Sequence, residues 1–146
     1  MSINEPIIVK QIFNASTKTI WNAITKVDLM REWFFNNIED FKPEVGFKTQ
    51  FNVQSEERNF LHLWEIIEVD PFKKIVYNWR YGDYPGNSFV HFELFEQNIK
   101  TLLRVTSVVT EEFPDNIPEF KPESCRAGWN YFIKQNLKEF IEKNKN

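Results

Sequence analysis

The sequence has one cysteine, Cys125, and two histidines, His62 and His91, among its 146 residues. A single cysteine excludes a disulfide within the chain, and two histidines alone do not make a usual zinc site. The sequence also lacks a phosphate-binding glycine loop, a nucleophile elbow and a cluster of metal ligands. We therefore expect no metal and no cofactor. No catalytic pair follows from the spacing of the residues.

An excess of one charge and a long apolar run are missing as well. The net charge is −3, with both signs mixed along the chain, so no basic stripe is available to bind nucleic acid. No apolar run approaches the roughly 20 residues that a membrane span needs, and the N-terminus has no signal-peptide core. We expect a soluble cytoplasmic protein that neither binds nucleic acid nor spans a membrane.

Aromatic residues, in contrast, are abundant. They make up 16% of the chain and include 15 Phe and 5 Trp. The length suits a single domain, residues 1–146, that buries most of its apolar surface without disulfides or metals. Aromatic side chains can fill its core, and where they pack imperfectly they line a cavity.

The last part of the chain, Pro122 to Lys143, has the pattern of a long amphipathic helix. Pro122 suits a first helical position because its missing N–H would have no partner there. Glu123 near the start and Lys138 and Lys143 near the end complement the helix dipole. At about 100° per residue, one broad face collects eight side chains, which are Cys125, Trp129, Phe132, Ile133, Asn136, Leu137, Phe140 and Ile141. A concave partner must receive that face.

The preceding residues can supply such a partner, because their apolar side chains mostly alternate with a period of two. A first strand is predicted at Ile7–Phe13, and two short helices follow it, capped by Ser16 or Thr17 and by Asp28. Five further strands are predicted within residues 45–53, 60–69, 75–80, 90–94 and 103–107. Residues 60–69 are apolar on both faces, so their inward side stays open. Hairpin connections imply an α+β fold in which a curved antiparallel sheet of about six to seven strands wraps around the C-terminal helix.

Several segments also resemble a known family. They are Phe13-Asn14-Ala15-Ser16 with residues 20–25, Asp28-Leu29 with Trp33-Phe34, residues 69–79, residues 90–94, residues 101–105, and Gly128-Trp129. In this order they are similar to the activator-of-heat-shock-protein-ATPase-like proteins of the START-like superfamily, also called SRPBCC, birch-pollen-allergen-like or helix-grip. The family usually has proline where this chain has Ser16, and a capping serine can replace it.

This resemblance implies a seven-element curved sheet around the C-terminal helix, with a cavity between the two. The superfamily includes lipid carriers, hormone receptors and cyclases, and the family includes co-chaperones of the ninety-kilodalton heat-shock protein. A fold of this kind does not determine a function.

The candidate ligand-binding residues are aromatic side chains with a few polar anchors. We predict that they are Trp33, Phe51, Trp64, Tyr77, Trp79, Phe92, Ser107, Phe113, Trp129, Phe132 and Asn136. The alternative is that the same side chains form an ordinary core. The buried amide of Asn136 needs a partner, which is either a ligand or a backbone carbonyl.

Three further features have two interpretations each. Cys125 lies in the first turn of the predicted helix. It is either a nucleophile, because the helix dipole favours a thiolate there, or a buried structural cysteine. His62 is structural, or it works as an acid or base with a carboxylate such as Glu65, although adjacent strand residues point to opposite faces. The loop at residues 111–121 and the turn at 81–87 border the cavity mouth, or they pack down and seal the core.

These observations leave three functional hypotheses. The first is a module that binds an apolar or amphipathic small molecule, a lipid being one such molecule. The second is a cyclase or hydrolase that uses His62, Tyr77 or Cys125 in the same cavity. The third is a protein-interaction module or homodimer, which needs an exposed patch on the outer face of the sheet around Leu102 or Val76.

Overall fold

The computed structural model describes residues 5–143, so residues 1–4 and 144–146 of the predicted domain lie outside the described residues. The N-terminal elements are β1 (Ile7–Phe13), α1 (Thr17–Thr25) and α2 (Val27–Trp33). Five strands follow, which are β2 (Lys48–Ser55), β3 (Arg58–Asp70), β4 (Lys74–Tyr81), β5 (Asn87–Gln97) and β6 (Lys100–Glu111). A 3-10 turn (Pro118–Phe120) leads into the C-terminal helix, which consists of α3 (Pro122–Trp129), a π-helical segment (Asn130–Leu137) and α4 (Lys138–Lys143) without a break. This order of elements confirms the prediction.

The strands of the described residues form one six-stranded sheet in the order β1-β6-β5-β4-β3-β2, with every neighbouring pair antiparallel. Strands β2 to β6 form a meander of consecutive hairpins. Strand β1 forms the edge of the sheet beside β6, and Val9 lies opposite Val105 in this pair. The curved sheet and the long helix confirm the predicted α+β helix-grip fold.

Strand β3 has its inward face defined by alternate buried residues. Phe60, His62, Trp64 and Ile66 are buried, while the residues between them are more exposed. The other face carries the apolar residues Leu61 and Leu63, which are partly buried, and this explains why the sequence pattern alone did not choose a face. A bulge between Ile66 and Glu68 then ends the alternation.

The two short helices form a bracket against the core. Ser16 caps α1, since its hydroxyl accepts the backbone N–H of Thr19 at 3.2 Å. The predicted cap of the second helix is wrong: the N-cap of α2 is Lys26, two residues before Asp28, and Asp28 lies in the first turn of the helix. The two helices are joined by a hydrogen bond, in which the indole of Trp33 in α2 donates to the carbonyl of Ala23 in α1 at 2.8 Å.

The C-terminal helix buries one stripe against the sheet. Trp129, Ile133, Leu137 and Ile141 are buried on it at intervals of four residues. Among residues 5–143, no helix is long and apolar enough to cross a membrane. The same residues contain no group of three or more side chains that could hold a metal ion.

Candidate ligand-binding cavity

A cavity of about 270 Å³ lies between the sheet and the C-terminal helix. Its sheet side is formed by residues of β2 to β6, which are Val53, Ser55, Phe60, His62, Trp79, Tyr81, Val90 and Ser107. Its other walls come from Phe35 after α2, from Glu119 and Phe120 of the 3-10 turn, and from Cys125, Gly128, Trp129 and Phe132 of the helix. The volume is just below the usual range for small-molecule sites, which begins at about 300 Å³.

The exposure of the lining residues shows where the cavity reaches the surface. The side chains on β5 and β6, Val90 and Ser107, are buried, and they form the floor. Ser55 on the edge strand β2, Glu119 in the 3-10 turn and Phe132 on the helix are only partly buried. The opening therefore lies between the β2 edge of the sheet, the 3-10 turn and the helix.

Four of the predicted ligand-binding residues line this cavity. They are Trp79, Ser107, Trp129 and Phe132. Trp79 and Trp129 pack edge to face with ring centroids 5.5 Å apart, so one wall is a rigid aromatic corner. Ser107 is 5% exposed and places a hydroxyl on an otherwise apolar floor. That any of these residues binds a ligand stays a prediction.

The other predicted residues do not line this cavity. Trp33, Phe51, Trp64, Tyr77 and Phe92 are each at most 5% exposed and pack in the main hydrophobic cluster. Phe113 belongs to a second cluster, and Asn136 donates to the Trp33 carbonyl at 3.2 Å. For Asn136 the structure therefore supplies the backbone partner that was one of the two alternatives.

Two of these core residues carry buried polar atoms that have no hydrogen-bond partner among the described residues. They are the indole nitrogen of Trp64 and the hydroxyl of Tyr77. Their rings are neighbours, with centroids 5.0 Å apart. Burial raises the pKa of Tyr77 far above its ordinary value. This hydroxyl stays protonated and is no general base.

His62 lies on the cavity wall, stacked on Phe51 and edge-on to Tyr81, with centroids 5.0 and 4.9 Å away. Its Nδ1 hydrogen-bonds to the carbonyl of Phe60 at 3.0 Å. Burial lowers the pKa of the imidazole to about 4, so the ring is neutral at physiological pH. Sequence reasoning discussed His62 without placing it at the site, because the inward face of β3 was open.

Cys125 also lines the cavity, and its environment makes it a thiol. Its Sγ lies 3.7 Å from the carbonyl oxygen of Glu119. Burial raises the pKa of the thiol to about 11, which is the opposite of the effect that a helix N-terminus has on an exposed cysteine. The structural interpretation of this cysteine therefore fits its surroundings.

The 3-10 turn is fastened to the β2–β3 hairpin at the opening. Arg58 Nε and Nη2 donate to the two carboxylate oxygens of Glu119 at 2.9 and 3.2 Å, and Ser55 Oγ donates to Oε2 at 2.8 Å. We call these three side chains the latch. Both interpretations of the loop then hold in part, since Phe113 packs down in the core and Phe120 forms a wall of the cavity.

The cavity holds no activated nucleophile among the described residues. His62 contacts a backbone carbonyl rather than a carboxylate, and the carboxylate of Glu119 is held by Arg58. Acid–base or nucleophilic chemistry needs such groups within hydrogen-bond reach of one another.

Several lining residues had no clear sequence signal. Phe35 follows a helix in a stretch without periodicity, and Glu119 and Phe120 lie in a proline-containing segment that is also without periodicity. Gly128 is the exception, because a glycine inside an apolar helical face indicates a missing side chain. A Cβ atom built on Gly128 would meet no other atom within 4 Å, so the space beside it is open.

The sequence itself decides the family. Residues 14–142 match the family described as Activator of Hsp90 ATPase homolog 1-like protein. The chain belongs to this family. The match extends from the end of β1 nearly to the end of the C-terminal helix, so the cavity walls all lie within it. No curated protein matches the chain significantly.

Solved structures share the fold of this chain at low sequence identity. Protein MLL2253 from Mesorhizobium loti has a TM-score of 0.78 and 23% identity, over 97% of this chain and 100% of the other. Protein CV1439 from Chromobacterium violaceum has a TM-score of 0.77 and 20% identity, over 94% and 96%. The Aha1 dimer from Colwellia psychrerythraea has a TM-score of 0.74 and 22% identity, over 97% and 99%. These similarities show the fold.

Proposed function

We propose that the chain forms one START-like domain that binds an apolar or amphipathic small molecule in the cavity between the sheet and the C-terminal helix. The observation that carries this proposal is the aromatic-walled space of about 270 Å³. An engineered cavity of 150 Å³ lined by apolar side chains binds benzene, so this larger space suits a ligand of about two fused rings or a short chain.

The open space beside Gly128 allows a direct test. Gly128→Leu adds a side chain at a lining residue where a Cβ atom would have open space around it, and leucine favours a helix more than glycine does. We expect the variant to keep its fold and to lose binding of naphthalene, as measured by isothermal titration calorimetry. Ala127→Leu is the matched control, since Ala127 is the exposed neighbour on the same helix.

The natural ligand is then sought in protein purified from its own host. Native mass spectrometry before and after denaturation shows whether a small molecule is retained, and the released molecule gives its chemical class. If wild type and Ala127→Leu bind no naphthalene and carry no small molecule, the proposal is wrong.

A second candidate function is protein interaction through the outer face of the sheet. Ile12 and Phe95 are 47% and 38% exposed, and both lie opposite Leu102 in neighbouring strands, so they form an apolar patch. Val76 does not belong to it, because it is 3% exposed. We expect Leu102→Asp to abolish any stimulation of the ATPase of a purified ninety-kilodalton heat-shock protein, or any self-association in sedimentation. Ile67→Asp, at an exposed position on β3, is the control. Absence of both activities in the wild type would rule this candidate out.

A further inference from the structure

The polar groups inside the cavity restrict the kind of ligand that it can hold, and this inference rests on the proposed function. Most of the wall is aromatic or aliphatic. A few lining residues carry oxygen or nitrogen atoms, and of these His62 and Ser107 are each 5% exposed. A ligand atom that touches either of these residues is therefore removed from water. It must satisfy their hydrogen-bonding groups or leave them unpaired.

The hydrogen bond that His62 makes fixes the role of its other nitrogen. A carbonyl oxygen only accepts, so Nδ1 carries the proton that it donates to Phe60 at 3.0 Å. In a neutral ring, Nε2 is then a lone-pair acceptor. It is the ring nitrogen farther from the backbone, and no hydrogen bond to it is formed by the part of the chain that the structure describes. The wall therefore presents an acceptor that needs a donor.

The charges around the cavity argue against an ionic ligand. Among the described residues, Glu119 is the one charged side chain on the lining. Both of its oxygens are bonded within the latch, to Arg58 and Ser55. No Lys or Arg of the described chain belongs to the wall. An ion of either sign would meet a carboxylate that Arg58 already neutralises, so the wall supplies no free charge to pair with it. Burial of an unpaired charge is costly.

We propose that the cavity selects an uncharged, largely apolar ligand that carries one hydroxyl or N–H group, and that this group donates its hydrogen to Nε2 of His62. Ser107 places a further hydrogen-bonding group on the floor of the cavity. The aromatic corner of Trp79 and Trp129 packs against its apolar body. Molecules of the phenol or fused-ring alcohol type have this chemistry.

Three probes of nearly the same shape test the proposal on the wild-type protein. They are 2-naphthol, 2-methylnaphthalene and 2-naphthoate, measured by isothermal titration calorimetry at pH 7. Burial of a hydroxyl without a partner is costly, so 2-naphthol binds at least as tightly as 2-methylnaphthalene only if the cavity supplies an acceptor. We expect that result, and we expect 2-naphthoate to bind more weakly than either. If 2-naphthol binds about tenfold more weakly than the methyl compound, or 2-naphthoate binds most tightly, the proposal is wrong.

A substitution then assigns the acceptor. In His62→Phe the ring and its stacking on Phe51 are kept, and Nε2 is removed. We expect the ratio of the 2-naphthol affinity to the 2-methylnaphthalene affinity to fall about tenfold, which corresponds to the loss of one hydrogen bond. His91→Phe is the control, because His91 is partly exposed on the opposite face of the sheet. An unchanged ratio in His62→Phe would overturn the role of Nε2.

The outcomes separate this inference from the proposed function. If none of the three probes binds the wild type and the purified protein carries no small molecule, the binding function itself fails. If 2-methylnaphthalene binds and 2-naphthol is rejected, the binding function stands and the selectivity fails. Should His62→Phe not fold, the comparison of the three probes on the wild type still decides whether an acceptor is present.

Discussion

Glu119 and Arg58 face each other across the opening of the cavity with both carboxylate oxygens bonded to the guanidinium, at 2.9 and 3.2 Å. The two residues come from different parts of the fold, since Glu119 lies in the 3-10 turn before the C-terminal helix and Arg58 begins β3. This two-point contact is more restrictive than a single ion pair. It holds the loop that carries Phe113 and Phe120 against the β2–β3 hairpin.

The first prediction concerns this latch. Glu119→Gln keeps the shape of the side chain and weakens the bidentate contact, so we expect faster amide hydrogen exchange across residues 112–121. Glu56→Gln is the control, because Glu56 lies 3.7 Å from the same arginine but is 81% exposed. Hydrogen exchange followed by mass spectrometry measures both. Equal exchange rates in the two variants would show that the latch does not hold the loop.

The second prediction concerns the unpaired hydroxyl of Tyr77. A buried polar group without a partner costs about 1–3 kcal/mol, so we expect Tyr77→Phe to raise the free energy of unfolding by about 1 kcal/mol. Tyr81→Phe is the matched change. It removes the oxygen that accepts the Trp79 indole N–H at 3.0 Å, and we expect it to lower the free energy of unfolding by about 1 kcal/mol. Urea denaturation measures both, and a destabilised Tyr77→Phe would contradict the assignment.

The third prediction concerns pH. His62 has a pKa of about 4 in the folded protein against 6.5 in an unfolded chain, because burial opposes its charged form. Between these values the unfolded state binds more protons, so stability falls as the pH is lowered from about 6.5 towards 4, by about 3 kcal/mol in total. His62→Phe removes this contribution. We expect its stability to change less between pH 7 and pH 5 than that of the wild type, and parallel curves would refute the prediction.

The fourth prediction concerns the reactivity of Cys125. Burial raises the pKa of this thiol from 9.0 to about 11, which lowers the thiolate fraction about 100-fold at neutral pH. Alkylation by iodoacetamide at pH 7.5 should therefore be about 100-fold slower in the folded protein than in urea, as followed by intact mass. Because Cys125 lines the cavity, saturating 2-naphthol should slow it further. Rapid alkylation of the folded protein would indicate an accessible thiolate.

Much of the fold was predictable because the apolar residues recur with clear periods over short stretches of sequence. The helix from Pro122 to Lys143 has an apolar face along its whole length and proline at its first position, and its limits agree with the structure. The strands show alternation between turn residues. Ser16 was one of two predicted caps, and it is the one that the helix uses. Such signals come from residues that are close together in the sequence, so they can be recognised in a single sequence.

The π-helical segment was not predicted, although its signal is present. The buried residues from Trp129 to Ile141 recur at every fourth position, and an α-helix turns such a stripe by about 40° at each step. The wider turns of Asn130–Leu137 compensate for that rotation, so the stripe keeps facing the sheet. The spacing of an ordinary α-helix predicts the buried residues correctly. It does not predict the π-helical turns that keep those residues on one side of the helix.

The cavity was the least predictable feature, because inward direction alone does not separate a wall from a core. Trp64 and Trp79 point inward from paired positions on neighbouring strands, yet only Trp79 reaches the open space. Which of the two does so depends on how Phe35 and the 3-10 turn pack above them. Those segments have no periodicity, and their positions are set by contacts that are distant in sequence.

The pairing of β1 with β6 has a consequence for how the chain is made. Phe13 lies opposite Thr101, so most of the chain is synthesised between the two strands. Contacts of such long sequence separation form late and slow folding. Ile7, Val9 and Phe13, which are buried in the finished sheet, must stay without their partners on the ribosome until β6 has emerged. Of the strands in this sheet, β1 is synthesised first and is therefore without its partner strand for the longest time.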